Sequence, residues 1–372
     1  MFGSGWVAAG CAERLREPGA VLVADVAGRS VLVVRGRGGA LRAFYNACRH
    51  RGTELVASGE RNVGRFIRCP YHSWAYDYEG RCVGAPMFSG SPIPEDQREL
   101  FDTSGAPEFD RANFGLLPVA TARFGPVVFV NFQHEPCDLA RHLGDLPERL
   151  RGYRIDEWGL ARTREYTIAA NYKLIAENFM EYYHLPWVHP GLVKVSPMQA
   201  HHRWQGLGMY TGMCTTPIAA NTRDGGWQGL PALEGLDGED AISARFIWLF
   251  PNIALNVLPN HLFLIHAAPE SPGRTRETTH LLVRRDVCED PAYQPAIDEL
   301  AAFWDSVNRE DIEIVERVQR GLDSTPFPGG PMCYRFEESI HRFQNMVIDR
   351  MVGLDRVPAA PVRPSALRPR RG

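Results

Sequence analysis

Short apolar runs divided by glycine-rich turns fill the first third of the chain. Residues 21–26 (VLVADV), 30–36 (SVLVVRG) and 40–47 (ALRAFYNA) have strand composition, with turns at Ala27-Gly28 and around Gly36, Gly38 and Gly39. Residues 65–69 (RFIRC), 74–78 (WAYDY) and 81–84 (RCVG) continue the pattern, which predicts a small antiparallel β-domain. Residues 88–113 are rich in Pro, Ser, Gly and acids and read as a connector. The run 125–132 (GPVVFVNF) reads as a buried strand where a second domain takes over. In RFIWLFPN, Phe246, Trp248 and Phe250 alternate as on a strand, more in the manner of core than of a ligand cage.

The period changes further on. Leu300, Trp304, Val307, Ile314 and Val318 make an apolar stripe at helical spacing that stops at Gly321, and Asp311 falls on the same stripe. An acid on a core-facing stripe is costly unless it is paired or binds a metal; Glu310, the nearest rival ligand, points about 100° away. Residues 176–190 (AENFMEYYHLPWVHP) place Glu177, Glu181 and His184 on one face if helical. His184 and His189 would diverge by about 140° on a regular helix, but Pro186 and Pro190 interrupt it and let both imidazoles turn to one point. The expected architecture is α+β, with domains at 1–115 and 116–355. The Pro- and Arg-rich tail 356–372 is expected to be disordered or laid on a surface.

A chain of 372 residues is long enough for two cores, and 44% hydrophobic and 23% charged residues describe an ordinary globular protein. The net charge of −3 gives no reason to invoke nucleic acid or an anionic membrane. No apolar run reaches the length of a membrane span, and no signal peptide precedes Gly5, so a cytoplasmic location is expected. The eight cysteines are no disulfide framework, and Cys11, Cys82, Cys137, Cys214, Cys288 and Cys333 are expected to be buried free thiols.

The chemistry is concentrated in two places. Cys48-Arg49-His50 and Cys69-Pro70-Tyr71-His72 spell C-x-H and C-x-x-H, eighteen residues apart. Two thiolates and two imidazoles on paired loops suit a [2Fe–2S] cluster with the cysteines on one iron and the histidines on the other; the neutral imidazoles raise its potential. A structural zinc site is the rival reading. The second place is His184 and His189, which need a third ligand to complete a 2-His-1-carboxylate iron site, with Asp311 the best candidate.

The words NACRHRGTELVASG and RCPYHSWAYDYEGRCVGAP resemble the Rieske domain of Rieske non-haem iron oxygenases, which favours the cluster over zinc. Ser73 stands where that family usually has Gly. The N-Y-K…E-N-F…E-x-x-H…H-P wording resembles the family's mononuclear iron helix, and E-D-x-x-x-x-E-x-V-Q its third-ligand helix. The resemblance implies an antiparallel Rieske domain followed by a helix-grip (START-like) catalytic domain with a central antiparallel sheet. It implies iron held by His184, His189 and Asp311, with Asn178 and Glu181 as catalytic groups. It also implies a homotrimer, with trimer against hexamer left open, in which Glu181 bridges His184 and His72 of the neighbouring subunit. Most ring-hydroxylating members carry Asp at that position. Glu is similar to the branch acting on quaternary ammonium compounds, the carnitine, choline and glycine betaine oxygenases.

No dinucleotide-binding fingerprint follows a strand, so a separate NAD(P)H-dependent reductase, with or without a ferredoxin, is expected to supply electrons for O2 activation. The expected reaction is hydroxylation or oxidative N-demethylation of a small molecule. The alternatives are an aromatic or natural-product hydroxylase or dioxygenase and a non-catalytic electron-transfer protein. Residues 200–266 are expected to line the pocket, with Trp204, Tyr210, Trp227, Phe246, Trp248 and Phe250 as its aromatic candidates; His261 and His266 are expected to be satisfied core histidines.

Overall fold

The Val-rich runs near the N-terminus pair as their strand composition predicts. In the computed structural model, which describes residues 1–59, 61–88, 108–194, 196–216, 229–354 and 356–357, the chain divides into two units, Phe2–Pro136 and Cys137–Gly372 (with Met1). The connector 89–107, Trp227 and the tail from residue 358 onward lie outside the described residues.

Among the described residues the first unit holds nine strands: β1 (Val7–Cys11), β2 (Val21–Val26), β3 (Arg29–Arg35), β4 (Leu41–Tyr45), β5 (Ile67–Arg68), β6 (Ala75–Tyr76), β7 (Cys82–Gly84), β8 (Pro118–Phe124) and β9 (Val127–Asn131). Six form one sheet in the order β1-β9-β8-β4-β3-β2, and β5-β6-β7 form a second, smaller one. The expected boundary at 115/116 therefore moves. β8 pairs with β4 through Ala43 and Val119, and β9 pairs with both β8 and β1, so 118–131 complete the first sheet instead of opening the second domain. The reason is burial: every residue of β9 is buried, and a strand buried on both faces needs a neighbour on each edge.

The second unit is built on one antiparallel sheet. Its strands are β10 (Trp158–Ile168), β11 (His201–Arg203), β12 (Tyr210–Thr215), β13 (Ala244–Leu249), β14 (Ile253–Val257), β15 (His261–Ser271) and β16 (Arg274–Arg284), in the order β10-β16-β15-β14-β13-β12-β11. Helices Tyr172–Met180, Gln294–Ser324 and Glu338–Val352 pack on the sheet and on one another. A long helix gripped by an antiparallel sheet is the α+β architecture expected from the sequence.

Two helix expectations change. The long helix runs through Gly321 to Ser324, and Val318 is 44% exposed, so the buried stripe is Ile297, Leu300, Ala301, Trp304, Asn308 and Val315. Its last turns leave the core, and the helix stops where Thr325 turns extended ahead of Pro326. Nor is 176–184 one helix. The helix ends at Met180, Glu181 is extended, and a new short turn begins at Leu185. Pro186 has no N–H to give and would clash with the carbonyl four residues back, so a continuous helix is excluded. The Glu181 carboxylate accepts the freed N–H groups of Tyr183 and His184.

Among the described residues no disulfide forms. Cys11, Cys82 and Cys214 are buried as expected, while Cys288 and Cys333 are half-buried and Cys137 is exposed. No described helix is long and apolar enough to cross a membrane. The tail begins with Arg356, whose guanidinium pairs with Asp349 of the last helix at 2.6 Å.

Candidate active site

Two loops of the first unit carry the C-x-H and C-x-x-H residues. The loop after β4 closes on itself: the Cys48 N–H donates to Thr53 O and the Gly52 N–H to Cys48 O. The β5–β6 loop does likewise, with the Cys69 N–H on Trp74 O and the Ser73 N–H on Cys69 O. Both thiols are buried, and the rings of His50 and His72 lie 4.7 Å apart. Tyr76 ties the loops together, since its hydroxyl accepts the Arg49 N–H at 3.0 Å and lies 3.2 Å from Cys48 Sγ. Trp74 stacks on His50 at 5.0 Å. Burial, with the charges of His72 and Arg51, lowers the His50 pKa and favours its neutral form. Burial raises the Cys48 pKa, the Tyr76 hydrogen bond opposes that, and the neighbouring Cys69 adds to it. Nδ1 of His72 is buried without a hydrogen-bond partner among the described residues. An unsatisfied buried ring nitrogen, a second imidazole 4.7 Å away and two buried thiols on the same pair of loops are a donor set that fits a cluster.

Ser73 sits in this loop at φ +57°, in the left-handed region. That conformation costs a residue with a Cβ about 1–2 kcal/mol. Ser73→Gly is therefore expected to stabilise the unit by about 0.5–1 kcal/mol after the entropy lost by glycine is counted. A thermal melt of the cluster-loaded protein should rise by about 2–4 °C; a lower melting temperature would show that the Ser73 side chain contributes more than its backbone costs.

The second unit brings His184, His189 and Asp311 together, with one ligand atom from each within 4.8 Å of the others. Asp311 Oδ1 lies 2.9 Å from His189 Nε2 and 3.6 Å from His184 Nε2. Neighbouring ligands at right angles around a cation, with bonds of about 2.1 Å, stand about 3 Å apart, so the spacing fits a metal ion. The outer nitrogens are held by acids. His184 Nδ1 donates to Glu181, and His189 Nδ1 donates to Glu310 Oε2 at 2.6 Å. A proton fixed on each Nδ1 leaves each Nε2 lone pair free for a metal. Burial opposes charge on His189, but Asp311 and Glu310 outweigh it and raise its pKa. Asn178 Nδ2 donates to Asp311 Oδ1 at 2.7 Å.

Glu310 was legible in the sequence only as a rival to Asp311. Successive helix residues point about 100° apart, and here that angle sets Glu310 on one ring nitrogen of His189 and Asp311 on the other. Glu277 gave no sequence signal. It is buried behind the cavity, accepts a hydrogen bond from Asn308 at 2.7 Å, and has a pKa pushed up to about 7 by burial, against the Asn308 bond and with help from Asp311.

The cavity beside the three metal-ligating candidates is walled by Phe179, Phe246, Phe263 and Trp304, with Asn178 and Asn256 among its polar residues. Of the aromatic residues expected there, only Phe246 is found among the described ones. Trp248 is packed between Phe179 and Phe343, and Trp204 and Tyr210 hold the Arg149 guanidinium away from the cavity. Phe179, Phe263 and Trp304 take the places of the others. His261 is a satisfied core histidine: Nδ1 donates to Asn260 at 2.7 Å, Nε2 accepts the Trp304 indole N–H, and burial takes its pKa down to about 3. His266 Nε2 lies 3.1 Å from Asn252 Nδ2. His202, Cys214 and Glu239 form another close set on the far face of the sheet, where the Arg245 guanidinium, 3.8 Å from Glu239, already supplies positive charge.

Comparison with known proteins gives the family. Residues 5–95 match the family described as Rieske [2Fe-2S] domain, and residues 155–353 match that described as ring hydroxylating alpha subunit (catalytic domain). The glycine betaine monooxygenase oxygenase subunit of Chromohalobacter salexigens is 28% identical over 95% of this chain and 82% of its own. The crystal structure of the quaternary ammonium Rieske monooxygenase CntA superposes with a TM-score of 0.75 at 23% identity, covering 93% of this chain and 89% of that one. Naphthalene 1,2-dioxygenase from Rhodococcus sp. gives 0.72 at 20% identity, covering 95% and 90%. The fold is common to both, so it does not choose between their substrates. Because the catalytic family model spans more than half of the chain, the protein belongs to the ring-hydroxylating alpha subunits, a Rieske-type oxygenase with a [2Fe–2S] domain ahead of a domain that binds mononuclear iron.

Proposed function

We propose that this chain is the terminal oxygenase of a Rieske system that oxidatively N-demethylates a small quaternary ammonium compound in the cytoplasm. Electrons come from a separate NAD(P)H-dependent reductase, directly or through a ferredoxin. Cys48 and Cys69 hold one iron of the cluster and His50 and His72 the other; His184, His189 and Asp311 hold the mononuclear iron. When bound, the cluster relays single electrons and the mononuclear iron activates O2.

The residues around that iron position it. Glu181 and Glu310 keep the protons of His184 and His189 on Nδ1, and Asn178 aims the Asp311 carboxylate. The aromatic walls keep water from the reacting carbon. In a homotrimer Glu181 also meets His72 of the partner subunit. Both Glu181 oxygens are engaged within the chain, but a carboxylate accepts about four hydrogen bonds and retains capacity for that one.

The observation that carries the substrate reading is Glu181 itself, a glutamate seated on an iron-ligating histidine where ring-hydroxylating members are expected to carry aspartate. The similarity to the glycine betaine monooxygenase subunit points the same way, and four aromatic faces suit a methylated ammonium by cation–π attraction. The same apolar walls also favour a second reading, hydroxylation of an aromatic or natural product.

Purified protein supplied with a surrogate reductase and NADH is expected to release formaldehyde from glycine betaine, choline or carnitine, matched to O2 consumed. Hydroxylated aromatic product from naphthalene, with no formaldehyde from any of the three ammonium compounds, would put the second reading in its place.

A further inference from the structure

One row of the sheet lines the cavity across four adjacent strands: Met213 on β12, Phe246 on β13, Asn256 on β14 and Phe263 on β15 are register partners in turn. Three of the four are apolar. Asn256 is 2% exposed, and its side-chain oxygen has no hydrogen-bond partner among the described residues. Asparagine is disfavoured in strands, and an unpaired buried acceptor adds to the cost. Apolar residues stand at the neighbouring places of this row, so folding alone gives no reason for an amide here. Asn256 lines the cavity together with Phe246, Phe263 and Trp304, and Trp304 stacks on Phe263 at 5.0 Å.

We propose that Asn256 is a substrate-recognition residue whose side-chain oxygen accepts a hydrogen bond from an N–H or O–H group of the substrate. This rests on the substrate cavity assigned above. It narrows the substrate class: a compound that offers a hydroxyl or a protonated, incompletely methylated amine satisfies Asn256, whereas a fully methylated ammonium with no other donor leaves it unpaired. Loss of one such bond inside a desolvated site costs about tenfold in affinity.

The test uses Asn256→Leu, which keeps approximate size and removes the acceptor. In the iron-loaded protein the melting temperature is expected to stay the same or rise, because an unpaired polar atom has been removed. A lowered melting temperature would overturn the proposal by showing that the amide is already satisfied in the fold. Calorimetric titration, done without O2, then compares two pairs of probes that differ by one donor: trimethylammonium with tetramethylammonium, and benzyl alcohol with benzyl methyl ether. The wild type is expected to bind the donor-bearing member about tenfold more tightly in at least one pair, and Asn256→Leu to bind both members alike. Equal binding within both pairs by the wild type, or a preference that survives in Asn256→Leu, overturns it. A preference confined to the neutral pair, with neither ammonium ion bound, supports the role of Asn256 while removing the ammonium reading.

Discussion

Replacing Asp311 with alanine is expected to abolish turnover and strip the mononuclear iron while leaving the [2Fe–2S] absorption and EPR spectra unchanged. Among the described residues Asp311 supplies the one carboxylate within reach of both imidazole Nε2 atoms. Without it the site keeps two imidazoles and no carboxylate ligand, and Fe(II), which favours a carboxylate beside two imidazoles, is expected to be lost to solvent. Removal also frees the Asn178 amide and leaves His189 bonded to Glu310 alone. The cluster candidates Cys48, His50, Cys69 and His72 belong to the other unit, so their spectra report folding independently. Asp311→Asn, which preserves shape, is expected to lose more than about 100-fold in turnover, beyond what is usual for a residue that only orients a ligand. Metal analysis and turnover decide together. Full iron and activity in Asp311→Ala would move the ligand role to Glu310, which Glu310→Ala would then reveal.

Glu181→Gln is expected to have the next largest effect: iron affinity and turnover lower by about 10- to 100-fold, with the cluster content unaltered. The Glu181 carboxylate accepts three hydrogens, from the backbone of Tyr183 and His184 and from His184 Nδ1. An amide cannot accept on both sides. If its oxygen faces the imidazole, its NH2 confronts two backbone donors. If its NH2 faces the imidazole, the His184 proton must move to Nε2, the atom needed for the metal. Glu181→Asp keeps the charge and is expected to recover part of the loss. Stopped-flow oxidation of the reduced cluster, with substrate and O2 and at matched iron content, tests the wider role. Slower oxidation in Glu181→Gln supports an electron route through this carboxylate; rates equal to wild type would remove Glu181 from the route and weaken the glutamate argument for a quaternary ammonium substrate.

Much of this protein is local in origin and could be read along the chain. The short apolar runs of β2, β3 and β4 pair as expected, the cysteine and histidine words fall on two tight loops, and the three-and-four spacing about Trp304 marks the helix that carries Asp311. A misplaced acid on that stripe was a usable signal because burial of charge is expensive wherever it occurs. The break between Met180 and Leu185 was half legible: Pro186 requires it, but the exchange of helical hydrogen bonds for the Glu181 carboxylate depends on where that side chain turns.

By itself, the sequence determined the architecture class, the two candidate metal centres and the ligand candidates of each, since these rest on spacing, period and side-chain chemistry within short windows. Only the tertiary structure decided which sheet receives Val127–Asn131, because its apolar run Val127–Val130 satisfies either core and its neighbours are chosen by register. It alone set Glu310 against His189 across 121 positions of chain, buried Glu277 beneath Asn308, and put Asn256, its side-chain oxygen unpaired among the described residues, in the wall of an aromatic-lined cavity. The physical reason is common to all of these. The energy of a buried polar atom is set by the partners that surround it, and those partners come from strands and helices remote in sequence.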